Sequence, residues 1–278
     1  MRPTLLNRIA AASKYLVVLA ALAIFTGWWI NTPPGLLGKL DAIGYAVCHR
    51  IGERSFHIGL IQLPLCARCS GMYLGAMTGL LFQALTGRRR GRMPSWSVLV
   101  PLLVFVAAFA VDGANSYLYL IKQVSPGALP QIPNIYVPNN TLRLLTGSGM
   151  GLGIAAVLFP AFNQTVWADI RDVRALTGRP FAWLVAIQIV LDLLVLTDSP
   201  IVLFPLAVIG TLGVLVLLTM VYSMVWIMLM KQDNQFHKPV QLWLPVIAGL
   251  TIAMIQIAGV DALRFWLTRT WGAFPLGG

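Results

Sequence analysis

Charge is what this sequence has least of. Only 10% of its 278 residues are charged, where soluble domains carry about a quarter, and nine acidic residues stand against twenty lysines and arginines. That shortage excludes a soluble globular protein. The net charge of +11 would otherwise suggest nucleic acid, but no basic soluble segment exists to carry such binding. The basic residues sit between apolar runs, where they report topology, so no nucleic-acid partner is expected. No internal repeat is evident and nothing marks off a second domain. The basic start (Arg2, Arg8, Lys14) leads into an apolar run that continues to Trp28, Trp29 and Asn31 without the cleavage pattern of a signal peptide. It reads as an uncleaved first span.

Apolar sequence is what abounds: 58% of residues are hydrophobic and the mean hydropathy is +0.79. The expected fold is all-α, a polytopic membrane helical bundle forming a single integral domain over residues 1–278. Seven runs are near bilayer-crossing length, at 15–30, 66–86, 96–112, 142–162, 182–198, 201–230 and 240–260. The fifth is short, carries Asp192 and ends in Thr197-Asp198-Ser199-Pro200, which suits a tight hairpin with the sixth. A cytoplasmic N-terminus puts most lysines and arginines inside, with Arg88, Arg89, Arg90 and Arg92 anchoring the end of the second span. Cys66 and Cys69 then lie at the outer face of the plasma membrane. The outer segment 36–62 opens with Leu36, Leu37, Leu40, Ile43 and Val47 at roughly helical spacing. This pattern predicts an amphipathic interfacial helix that delivers Cys48 and His49 to the membrane. The third and fourth spans are joined by an irregular loop containing Pro126, Gly127, Pro130, Pro133 and Pro138.

All three cysteines and two of the three histidines fall between residues 48 and 69. Scattered cysteines would be small core hydrophobes; this concentration points to a shared site. If residue 66 starts a helix, Cys66 and Cys69 project from one face near its N-terminus, where the helix dipole and Arg68 favour thiolate. With Cys48 and His49 they make a Cys3His set suited to zinc, with His57 as a spare ligand. Three other readings stay open. The thiols can exchange disulfides and pass electrons to a membrane quinone; one bridge can staple the interfacial helix to the second span; or the cysteines can simply pack. Haem attachment is poorly matched, because Ser70 follows Cys69 where histidine is needed.

Ionisable residues cluster at outer span ends: Arg68, Asp112, Arg143, Asp198 and Asp261, with Asp192 deeper. Such groups are costly in lipid unless paired or hydrated, so a one-sided set implies a polar vestibule. Asp112 and Asp192 are the candidate catalytic carboxylates, should the protein be an enzyme at all. Gly71, Gly75 and Gly79 on the second span, and Gly147, Gly149, Gly151 and Gly153 on the fourth, predict close helix contact with each other or with a membrane partner. Arg68 and Arg143 each fall on their helix's glycine face, so meeting faces would bring them together. Asp112 and Asp261 could neutralise them as salt bridges; otherwise Arg50, Arg54, Arg68 and Arg143 form an electropositive rim for an anionic small molecule or lipid headgroup.

The pattern Cys48-His49, Glu53-Arg54-Ser55-Phe56, Gly59, Gln62, Pro64 and Cys66-Ala67-Arg68-Cys69-Ser70-Gly71-Met72-Tyr73-Leu74-Gly75 resembles a family of prokaryotic membrane proteins, domain of unknown function 2085. A weaker echo continues through Asp112-Gly113 and Asn140-Thr141-Leu142-Arg143-Leu144-Leu145-Thr146-Gly147, so the likeness spans roughly residues 40–155. It implies a prokaryotic membrane protein in which the cysteine cluster and the Asp112/Arg143 region form one unit, and it implies no activity. The leading expectation is an outward-facing metal site, zinc first, beside an Arg/Asp vestibule in contact with the lipid bilayer. The rivals are the quinone-coupled thiol oxidoreductase and an accessory subunit that docks a larger membrane complex through its glycine faces.

Overall fold

The computed structural model describes residues 5–272, with side chains from Lys14 onward; Arg2 and the Arg8 side chain, both used in the topology reading, lie outside that description. Among these residues eight α-helices follow one another: α1 (Leu5–Asn31), α2 (Gly35–Val47), α3 (Ala67–Thr86), α4 (Trp96–Val124), α5 (Asn140–Val166), α6 (Gly178–Val195), α7 (Pro200–Leu229) and α8 (Trp243–Thr268). Helices dominate because a chain in lipid must satisfy its own backbone hydrogen bonds. Among the described residues, six helices are long and apolar enough to cross a membrane; α3 is not one of them. Its 20 residues suffice in length, but glycines and the Arg68-Cys69-Ser70 start dilute its hydropathy. Packed between α5 and α7, it needs less apolar surface than a lipid-facing helix.

Ends follow local chemistry. The Asn139 side chain accepts a hydrogen bond from Leu142 N–H at 2.9 Å and caps α5. Pro200 begins α7, where a missing N–H costs nothing. The α6–α7 connection is the expected tight hairpin, with Asp198 at φ +54. Where the sequence reading ends the third span at 112, α4 continues to Val124. Its Asp112, Asn115 and Ser116 are buried against protein, so these polar residues do not terminate it.

Two small pairings escape the sequence reading. β1 (Ser55–Ile58) and β2 (Ile61–Cys66) form an antiparallel hairpin turning at Gly59, φ +60. At the other end of the bundle β3 (Arg90–Arg92) pairs in parallel with β4 (Arg171–Arg174). The helix α2 is also more deeply seated than a surface amphipath. Lys39, Leu40, Ala42, Ile43, Gly44 and Tyr45 are buried, and a Cβ on Gly44 would meet Pro64 O of the hairpin at 2.0 Å.

The closest helix contact is α3 against α5, made by the two glycine faces. A Cβ on Gly71 would lie 2.2 Å from Leu144 O, on Gly75 2.5 Å from Ser148 O, and on Gly151 2.1 Å from Met72 O. One on Gly147 would lie 2.2 Å from Arg68 O. Gly149 and Gly153 instead face Phe105 and Val106 of α4.

Candidate metal centre

Three elements deliver three thiols to one point. Cys48 caps the C-terminus of α2, its N–H bonding Gly44 O at 2.8 Å; Cys66 ends β2 and is the N-cap of α3; Cys69 sits in the first turn of α3. The three sulfurs all lie within 4.8 Å of one another. Tetrahedral coordination with metal–sulfur bonds of about 2.3 Å places sulfurs ~3.8 Å apart, so a small closure would seat an ion. Cys66 N–H also donates to Cys48 Sγ at 3.3 Å, a contact that favours a thiolate. The thiols are already unequal: hydrogen bonds from Cys48 and Cys69 hold Cys66 well below an ordinary thiol, whereas the bond with Cys66, followed by burial, pushes Cys48 up to about 11.

The position of Cys48 depends on the last helix. Arg264 of α8 donates to Cys48 O at 2.6 Å and His49 O at 3.2 Å and also bonds Tyr45 O, while its guanidinium lies 3.9 Å from the Tyr45 ring centroid. Helix-end carbonyls lack intrahelical donors, and a cation satisfies them well. Arg264→Gln is expected to loosen residues 45–50 selectively. With hydrogen bonds to a charged group contributing about 1.5–3 kcal/mol, amide exchange there should rise roughly tenfold or more while the α3 amides stay protected.

Beside the thiols is a cavity of about 120 Å³ lined by Cys66, Cys69, His49, Ile51, Arg54, Arg68 and Arg143. Arg68 is paired with Asp112 and donates to Ser116 Oγ at 3.0 Å; Arg54 donates to Ser116 O at 3.2 Å; Arg143 donates to Asn140 Oδ1 at 2.9 Å. The Nε atoms of Arg68 and Arg143 are buried with no acceptor. Burial, and after it the positive charge of Arg68, lowers the pKa of Arg54. Among the described residues Asp112 is the carboxylate bonded to this arginine group, and its other contacts are Tyr136 Oη at 2.7 Å and Thr146 Oγ1 at 3.4 Å. The pocket therefore stays net positive. Asp112→Asn, which strands the Arg68 charge, is expected to cost about 3 kcal/mol and to show as a lowered melting temperature in detergent.

The remaining candidates fall as follows. His49 is exposed and lines the pocket; among the described residues no histidine or carboxylate joins the sulfur group. His57 is exposed on β1. Arg50 is not on the pocket wall: it is buried, ion-paired with Asp41 at 2.8 Å and bonded to Trp271 O at 3.2 Å. Burial raises the Asp41 pKa despite that arginine. Neither carboxylate considered for catalysis lines the pocket. Asp112 is occupied as above, and Asp192 accepts from Ser148 Oγ at 2.7 Å and Gln188 Nε2 at 2.9 Å in a separate buried network. Nor does Asp261 neutralise Arg68 or Arg143, since it accepts from Trp28 Nε1 at 2.8 Å. Arg264 is the residue that sequence reasoning missed. Its signal is its place three residues after Asp261, at the end of an apolar span.

Fold and site together define a polytopic membrane protein with a three-thiol cluster set beside buried Arg143 and the half-buried Arg54 and Arg68. The chain belongs to the family described as predicted membrane protein (DUF2085), whose profile matches residues 48–157. It is 32% identical over 111 residues to an uncharacterised protein of Methanothermobacter thermautotrophicus, a match covering 40% of this chain and 83% of that protein. It is 25% identical over 134 residues to an uncharacterised protein of Methanocaldococcus jannaschii, covering 48% and 74%. No solved structure matches it. The family match contains every residue of the thiol pocket, while Arg264 lies outside it.

Proposed function

We propose that the protein is a metal-thiolate membrane protein: Cys48, Cys66 and Cys69 hold one zinc ion at the outer face of the plasma membrane, and an anion binds beside it. The observation that carries this reading is the gathering of three sulfurs within 4.8 Å of one another, two of them, on Cys66 and Cys69, lining a cavity that also presents Arg54, Arg68 and Arg143. Thiolates select zinc among common divalent ions by softness and tetrahedral geometry. Three of them on a divalent ion leave a charge of minus one, which the arginines stabilise. Because Cys66 and Cys69 line the pocket, a fourth ligand would come from it, either His49 or the anion itself. An open fourth position suits a site that binds and polarises a ligand. Guanidinium groups with unused N–H donors suit a phosphate or carboxylate held bidentately.

The same arginines would also stabilise a free thiolate, which is the argument for redox-active cysteines. Metal content and thiol titration separate the two. Protein purified in mild detergent without chelators is expected to carry about one zinc ion per chain, with its thiols unreactive towards a disulfide reagent until a chelator is added. Metal-free protein whose Cys66 and Cys69 cycle between thiol and disulfide on addition of a quinone would overturn the proposal.

A further inference from the structure

The other end of the bundle carries a second, unrelated site. Between α3, α5 and α7 runs a groove of about 800 Å³ whose walls include Met77, Leu81, Leu85, Phe162 and Met220, and whose mouth is set with Arg88, Arg89 and Arg171. Leu81 and Leu85 are 60% and 72% exposed, so the groove opens sideways from the helix bundle. From Met77 to Arg88 is eleven residues, about 16 Å at ~1.5 Å per residue. That is close to one leaflet's share of a hydrocarbon core ~30 Å thick.

The mouth is built for negative charge. Arg89 is held in place by Asp169 and stacks over Trp167 at 4.5 Å, whereas Arg88 and Arg171 are exposed and neither side chain has a hydrogen-bond or ion-pair partner among the described residues. The strand pairing adds to the excess: Arg90 stands opposite Arg171 and Arg92 opposite Arg174, and Arg171 N–H donates to Arg89 O at 2.8 Å. Like charges placed across a strand pair repel, and here two such pairs stand side by side. Of these four, Arg171 lines the groove, so an anion at the mouth would offset the repulsion that it shares with Arg90.

We infer that this groove holds one anionic phospholipid, its phosphate between Arg88 and Arg171 and an acyl chain lying along α3 from Leu85 towards Met77. A partner helix would fill the apolar walls but leave the arginines without counter-charge; basic pockets between helices are a recurrent form of anionic headgroup site. Native mass spectrometry of the full chain, released from detergent containing either phosphatidylglycerol or phosphatidylcholine with identical acyl chains, tests this. One phosphatidylglycerol retained per chain is expected, with roughly tenfold preference over phosphatidylcholine. An Arg88→Gln/Arg171→Gln double variant should lose the preference; both positions are exposed, so the fold should survive. Ala84→Trp, which fills the groove and keeps the arginines, should lose the retained lipid itself. Arg269→Gln, at the opposite end, should change neither. Equal retention of the two lipids, or an unchanged preference in the double variant, would overturn the assignment.

Discussion

Cys48→Ser is expected to reduce bound zinc from about one ion per chain to none, the largest single change foreseen for the thiol site. Cys66, the N-cap of α3, and Cys69, in its first turn, alone offer two ligands; Cys48 arrives at the end of α2 and closes the set. Serine is nearly the same size, so the core around position 48, which includes Trp28, Leu65, Val214 and Ile257, should remain packed. The informative quantity is the response to a chelator. An ion present at a thousand times its dissociation constant stabilises the folded state by about 4 kcal/mol, so wild-type protein should melt at a clearly lower temperature once chelated. The serine variant should melt at one temperature with or without chelator. A variant that keeps its zinc would show that the three sulfurs are not the ligands.

Gly151→Leu is expected to be the most damaging substitution outside the thiols. Its Cβ alone would stand 2.1 Å from Met72 O and 2.6 Å from Ala76 N, and both are backbone atoms that cannot swing aside. Extra methylenes in a packed core cost about 1–3 kcal/mol where side chains can adjust; here α3 must leave α5, and the cost should reach about 3 kcal/mol or more. The consequence reaches the pocket, because Arg68 O sits on Gly147 one turn away, so separating the helices separates Arg68 from Arg143. Gly153→Ala is the matched control. Its Cβ would find Val106 Cγ2 at 3.7 Å, an ordinary contact, and it should melt within about 1 °C of wild type. Thermal melts in one detergent, together with folded yield, would separate the pair.

The elements most legible in the sequence were those with a strong local pattern. Apolar length and arginine clusters located the helices. The four-residue spacing of Gly71, Gly75 and Gly79 against Gly147 and Gly151 foretold the contact that brings Arg68 and Arg143 to one cavity. Concentration of all three cysteines in 22 residues foretold their meeting. What was illegible depends on partners distant in sequence. Nothing near Arg50 announces that Asp41 holds it away from the pocket, and nothing near Asp192 names Ser148 as its donor. The β1–β2 hairpin is short, and its alternation was masked by the chemistry read into the same residues. Arg264 stands more than 200 positions from Cys48 and outside the family match, yet its hydrogen bonds shape the loop that carries the third thiol.

The central claim is that an ion sits among Cys48, Cys66 and Cys69, and X-ray absorption at the zinc edge of the purified protein tests it most directly. One zinc per chain is expected, bound by three sulfurs at about 2.3 Å and one nitrogen or oxygen at about 2.0–2.1 Å. A shell of oxygen and nitrogen alone, or zinc far below one ion per chain, would contradict it.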